Sequence, residues 1–219
     1  MILYKPKHVL IIIALSLICG YGLLWLLHHA FKFLIPNSEI LIHILLYIIV
    51  YTTTAFVYST PNILKIHKAF GIKLVKFKYV LLAVFLAILL WVLDYFYQIK
   101  VLNTNMLSEA ISINNTIRNS RITSVFISMV IIAPMVEEIL FRGIFLQTIN
   151  NYLNNHWSAF IISLCFASIH FSLSLFPILF IASWVYVWLT LKTKSIIPAI
   201  IAHIINNSIT FFYYIALLN

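Results

Sequence analysis

The sequence predicts an all-α integral membrane protein, a bundle of about seven transmembrane helices with a polar site inside the bundle. Three observations predict it. Hydrophobic residues fill 63% of the 219 positions and charged residues only 9%, with a mean hydropathy of +1.07, whereas soluble domains carry about 25% charged residues. Apolar runs of about 20 residues, the length a helix needs to cross a bilayer, recur along the chain. One of those runs holds Glu137, Glu138 and Arg142, and charge at membrane depth is costly unless it faces a protein interior or a wet cavity. Four glycines in all and no ten-residue alternation disfavour a β-barrel.

Taken in order, the runs are 9–27, 40–58, 79–97, 122–149, 159–176, 177–190 and 196–218, within one transmembrane domain covering 1–219. Lys5, Lys7 and His8 precede the first, as in a signal peptide, but its length and the lack of a small-residue cleavage site favour a retained anchor. It carries a kink candidate at Gly20-Tyr21-Gly22, and Pro36-Asn37-Ser38 makes the turn before the second run. His28, His29 and His43 are isolated and read as satisfied by water, headgroups or backbone, since a metal site needs several convergent groups. Between 59 and 78 lysines alternate with apolar residues, the pattern of an interfacial amphipathic segment.

Asp94, beside Tyr95 and Tyr97 near the end of the third run, reads as an interface acid hydrogen-bonded by a tyrosine. The connection 98–121 is polar and asparagine-rich and reads as a mobile loop or lid. The fifth and sixth runs are separated by almost nothing. Cys19 and Cys165 stand inside apolar runs with neither disulfide nor metal spacing and read as buried small hydrophobes.

The formal charge of +9 invites a nucleic-acid reading, but the bases follow the spans instead. With the N-terminus cytoplasmic, nine lysines (5, 7, 65, 68, 73, 76, 78, 192 and 194) fall inside and four bases (Lys32, Lys100, Arg118 and Arg121) outside, the positive-inside asymmetry. The expected partner is the lipid bilayer with its anionic headgroups, and not nucleic acid.

Chemistry concentrates in the last hundred residues. Glu138 and Arg142 are spaced i,i+4 with the acid first, the orientation that pairs them on one helical face. Glu137 is turned about 100° away and left available. Pro134 removes a backbone donor and invites a kink beside the carboxylates. Phe166 and His170 share a face of the fifth run at i,i+4 spacing. His203 and Asn207 share one in the seventh, and Asn206 turns away. At about 1.5 Å per residue, Glu137, His170 and His203 all fall at or below mid-membrane on the inner side.

A carboxylate beside an imidazole can deprotonate a water, and a second imidazole with an amide can donate to an oxyanion. A serine route lacks its Gly-x-Ser-x-Gly elbow, a His-Glu-x-x-His zinc motif is absent, and Cys165 lies about 140° around the helix from His170.

The set Glu137-Glu138-x-x-x-Arg142, Phe166-x-x-x-His170 and His203-x-x-x-Asn207, in this order across 122–212, resembles the CPBP family of intramembrane proteases, also called the CAAX protease and bacteriocin-processing family. The resemblance implies a membrane-embedded endopeptidase in which Glu137 and His170 activate water, His203 and Asn207 stabilise the oxyanion, and Glu138 and Arg142 give support. It implies a membrane protein or peptide as substrate, prenylated C-a-a-X proteins in eukaryotic members. It leaves metal dependence open, with Glu137, His170 and His203 as ligands if a divalent metal such as zinc is used. Composition and short loops point to a bacterial plasma membrane. Two other readings stand beside the protease. One is a non-catalytic bacteriocin self-immunity protein or partner scaffold, in which the polar set is interhelical glue. The other is a proton-coupled transporter, disfavoured because no inverted repeat of broken helices is evident.

Overall fold

A computed structural model describes residues 71–104, 106–119 and 121–218 of the chain. The expected spans 9–27 and 40–58, Cys19, the glycine kink, the turn at Pro36, His28, His29, His43 and the amphipathic segment up to residue 70 lie outside the described residues. Within them the chain is all-helical: α1 (Phe77–Lys100), α2 (Met106–Asn119), α3 (Ile122–Ile149), α4 (Asn155–Ser168), α5 (Phe176–Thr193) and α6 (Ile197–Ala216). Four of these, α1, α3, α5 and α6, are long and apolar enough to cross a membrane.

Two expectations about the helices are corrected here. The connection 98–121 holds a 14-residue helix, α2, rather than an irregular lid. Its asparagines mask an amphipathic period, in which Ala110 is fully buried and Ile117 packs against a cluster of Val125, Val130 and Phe211 from α3 and α6. The run expected at 159–176 is instead the 14-residue α4, which starts earlier and stops at Ser168. Asn154 caps its start by accepting from the Trp157 amide at 3.0 Å, and a turn holding Phe171 at φ 51 follows its end. The separation from α5 is therefore a true reversal, which apolarity alone concealed.

Helices approach closely where side chains are small. Ala83 and Ala87 of α1 meet Ala199 and Ala202 of α6, with Tyr186 and Leu189 of α5 completing that core. A second core joins α3, α4 and α5 through Phe141, Leu146, Ala159, Ile162, Phe166 and Val187. The outer face of α1 exposes Leu81, Phe85, Ile88, Leu93 and Phe96, the surface that lipid rather than water would solvate. Cys165, expected to be buried, is exposed on α4, a position where an apolar side chain is stable in lipid. Asp94 is bonded by Gln98 at 2.9 Å one turn on, not by a tyrosine. The Tyr97 hydroxyl donates instead to the Ser174 carbonyl at 2.8 Å and ties the α4–α5 turn to the end of α1.

α3 is not a plain α-helix. It widens to π pairing over Ile127–Ile132 and again over Ile139–Phe145, leaving Ala133–Glu138 as a short α segment between them. π turns arise where an α ladder cannot be kept. Pro134, expected to kink this helix, has no N–H, and its ring would press on the carbonyl four residues earlier.

Candidate active site

Glu138 and Arg142 are both fully buried and joined at 2.9 Å between Oε1 and Nη1. The pairing anticipated from their spacing is therefore present, and Nη2 is held by a residue far away in sequence, while the buried Nε has no hydrogen-bond partner among the described residues. Nη2 donates to the Ser183 hydroxyl at 2.7 Å and to its carbonyl at 3.2 Å. The Phe166, Tyr186 and Phe141 rings surround the group, Phe166 nearest at 4.6 Å. A guanidinium desolvated against aromatic faces keeps part of the stabilisation it loses with water. Ser183 and Tyr186 were not anticipated. The one signal in sequence was a serine among apolar neighbours in a membrane-length run, a polar group that has to find a partner.

The same Glu138 oxygen accepts from His203 Nδ1 at 2.9 Å. A carboxylate can only accept, so this nitrogen carries the hydrogen and the ring presents Nε2 to its other side. On that side Glu137 Oε2 lies 3.9 Å away, longer than a direct hydrogen bond. Tyr186 stacks on the imidazole at 5.2 Å and fixes its plane. Glu137 itself is half-buried, turned away from the arginine as its position one residue along the helix dictates.

His170 lies in the turn beyond α4, not on the helix as its spacing from Phe166 suggested. Its Nδ1 still reaches the Phe166 carbonyl at 2.8 Å, and the two rings pack at 4.8 Å. A carbonyl too can only accept, so His170 also leaves Nε2 free. It makes no hydrogen bond to Glu137, although it lies within electrostatic reach of that carboxylate. Among the described residues no three His, Cys, Asp or Glu side chains stand close enough together to hold a metal ion.

Asn207 donates from Nδ2 to the Met129 carbonyl at 3.0 Å. The identity of that carbonyl follows from the π pairing. The Ala133 amide bonds Ser128 five residues back, so the next donor in the same register would be residue 134, bonding Met129. Residue 134 is proline and has nothing to donate. Asn207 supplies the missing hydrogen and thereby pins α6 to the wide turn of α3 just ahead of the two glutamates. Asn207→Leu is expected to destabilise the fold by about 0.5–1.5 kcal/mol, the net worth of one hydrogen bond whose acceptor lies on an exposed face of the helix. In a Pro134→Ala background, where an amide returns, the loss should be smaller. Unfolding by sodium dodecyl sulfate in mixed micelles would measure both, and equal losses would refute the link.

Residues 119–209 match the family described as Rce1-like, type II CAAX prenyl endopeptidase Rce1-like. No curated protein and no solved structure gives a significant match. The matched span opens just ahead of α3, holds both glutamates and the arginine, and closes two residues beyond Asn207. Over this span, 91 of its 219 residues, this multi-pass membrane protein is similar to the Rce1-like family of CAAX-type proteases.

Proposed function

We propose that the chain is an intramembrane endopeptidase that hydrolyses a peptide bond of a membrane-associated protein or peptide. The observation that carries this is the relay Arg142–Glu138–His203, which holds one imidazole nitrogen and leaves the other beside Glu137. Glu137 takes a proton from a water that His170 Nε2 helps to orient, and the hydroxide adds to the scissile carbonyl. With a proton on Nε2, His203 donates to the oxyanion together with the second amide hydrogen of Asn207, the first being committed to Met129. Glu137 then passes its proton to the leaving amine as the C–N bond breaks. Glu138 and Arg142 touch no reacting atom and act by fixing His203.

The positive-inside rule directs the lysine-rich start of α1 and end of α5 to the cytoplasmic side of a bacterial plasma membrane. The matched family's description makes a prenylated peptide ending in C-a-a-X the first substrate to offer. The test is cleavage of such a peptide by purified protein in liposomes, with and without a strong chelator. Cleavage that survives chelation supports the glutamate route. Loss restored by zinc would make Glu137 a ligand instead of the base. An inactive wild type that still confers resistance to a bacteriocin would favour the immunity reading.

A further inference from the structure

At one end of the bundle the chain builds a cavity of about 320 Å³ lined by Lys73, Gln147, Asn150, Asn155, Lys194 and Ser195, among others. This volume is at the small end of ligand sites, which run from about 300 to 1,000 Å³. The cavity is separate from the glutamate–histidine cluster, none of whose members lines it. Its frame is fixed by hydrogen bonds over long sequence distances. The Ile196 amide donates to the Gly71 carbonyl at 3.1 Å. The fully buried Ser195 hydroxyl donates to the Lys73 carbonyl at 2.6 Å and accepts from the Lys73 amide at 3.3 Å. Gly71 permits the closure, since at φ +69 an added Cβ would stand 2.7 Å from Gln147 Nε2.

Three features say what the cavity is for. Among the described residues its charge is uncompensated: Lys73 and Lys194 line it, Lys76, Lys78 and Lys192 are at the same end, and the described acids, Asp94, Glu109, Glu137 and Glu138, all lie elsewhere. Lys194 also closes α5 in the left-handed region, φ 54 and ψ 32, where glycine is the comfortable residue. A lysine is held there against its backbone preference. The level is that of lipid headgroups, because α3 and α5 end and α6 begins around the cavity. The buried Asn150 Oδ1 has no hydrogen-bond partner and calls for a donor.

We infer that this cavity binds the headgroup of an anionic phospholipid, its phosphodiester between Lys73 and Lys194 and a headgroup hydroxyl donating to Asn150. The inference stands apart from the proposed hydrolysis.

The test uses full-length protein in neutral detergent, titrated with dioleoyl phosphatidylglycerol or dioleoyl phosphatidylcholine and read by native mass spectrometry. Phosphatidylglycerol should bind the wild type about thirty-fold more tightly than it binds the Lys73→Gln/Lys194→Gln double variant, the worth of two lysines at an anionic surface. Lys194→Gly should lose a share of that affinity while unfolding no earlier than wild type, which separates binding from folding. Lys76→Gln/Lys78→Gln removes the same charge from the same end without touching the cavity and should keep most of the affinity. The inference is overturned if that control loses as much as the Lys73/Lys194 pair, if phosphatidylcholine binds equally well, or if soluble glycerol 3-phosphate displaces the lipid at matching concentrations.

Discussion

Arg142→Ala is expected to destabilise the protein by about 3–5 kcal/mol, the usual result of removing one partner from a buried ion pair. The side chain is fully buried, and its loss strands three groups together: Glu138 without its cation, the Ser183 hydroxyl without its donor, and a gap among Phe141, Phe166 and Tyr186. Sodium dodecyl sulfate unfolding at fixed lipid content reads the effect. The second half of the expectation is that Glu138→Gln/Arg142→Met recovers about 1–2 kcal/mol relative to Arg142→Ala, because the charges then leave together and methionine fills part of the gap. Wild-type stability for Arg142→Ala would show that the pair contributes nothing to the fold. Failure of the double variant to recover would place the loss in packing rather than charge.

Glu137→Gln is expected to lower kcat by about 10²–10⁴, the worth of a positioned acid–base group, with little change in KM. Its structural cost should be small. Glu137 makes no hydrogen bond among the described residues, His203 Nε2 lying 3.9 Å from its carboxylate, and glutamine preserves the shape. The contrast with its neighbour is diagnostic: Glu138→Gln weakens two bonds at a single buried oxygen and should reduce stability as well as turnover. A folded Glu137→Gln protein that cleaves at the wild-type rate would exclude Glu137 as the base.

The parts of the site that could be read in the sequence are those that local periodicity controls. Glu138 and Arg142 are one turn apart on one helix, so their meeting needed only the helix period. Phe166 and His170 met for the same reason even though the helix stops between them. What periodicity does not carry is the partner across the bundle. His203 reaches Glu138 over 65 positions and Ser183 reaches Arg142 over 41, and no spacing rule links them. The fold shows the same division. α1, α5 and α6 fall close to their apolar runs, while α2 was hidden because its asparagines outweigh the few apolar residues on its buried side. The early end of α4 was hidden because the residues after it are as apolar as those within it.

The wide turns of α3 bear on how this helix tolerates changes in length. A π turn holds one residue more than the α ladder around it, so removing one residue from 127–132 can be absorbed by returning that stretch to α pairing. The residues on either side then keep their facing, at the cost of pressing Pro134 onto the carbonyl four positions before it. The same deletion ahead of Ser183 in α5, which has no wide turn, rotates one side of the helix by about 100° against the other and takes Ser183 off Arg142. Among related chains, gaps therefore belong in 127–132 or 139–145, and alignments should be anchored on Glu137 and Glu138 instead of on distance from the start of the helix.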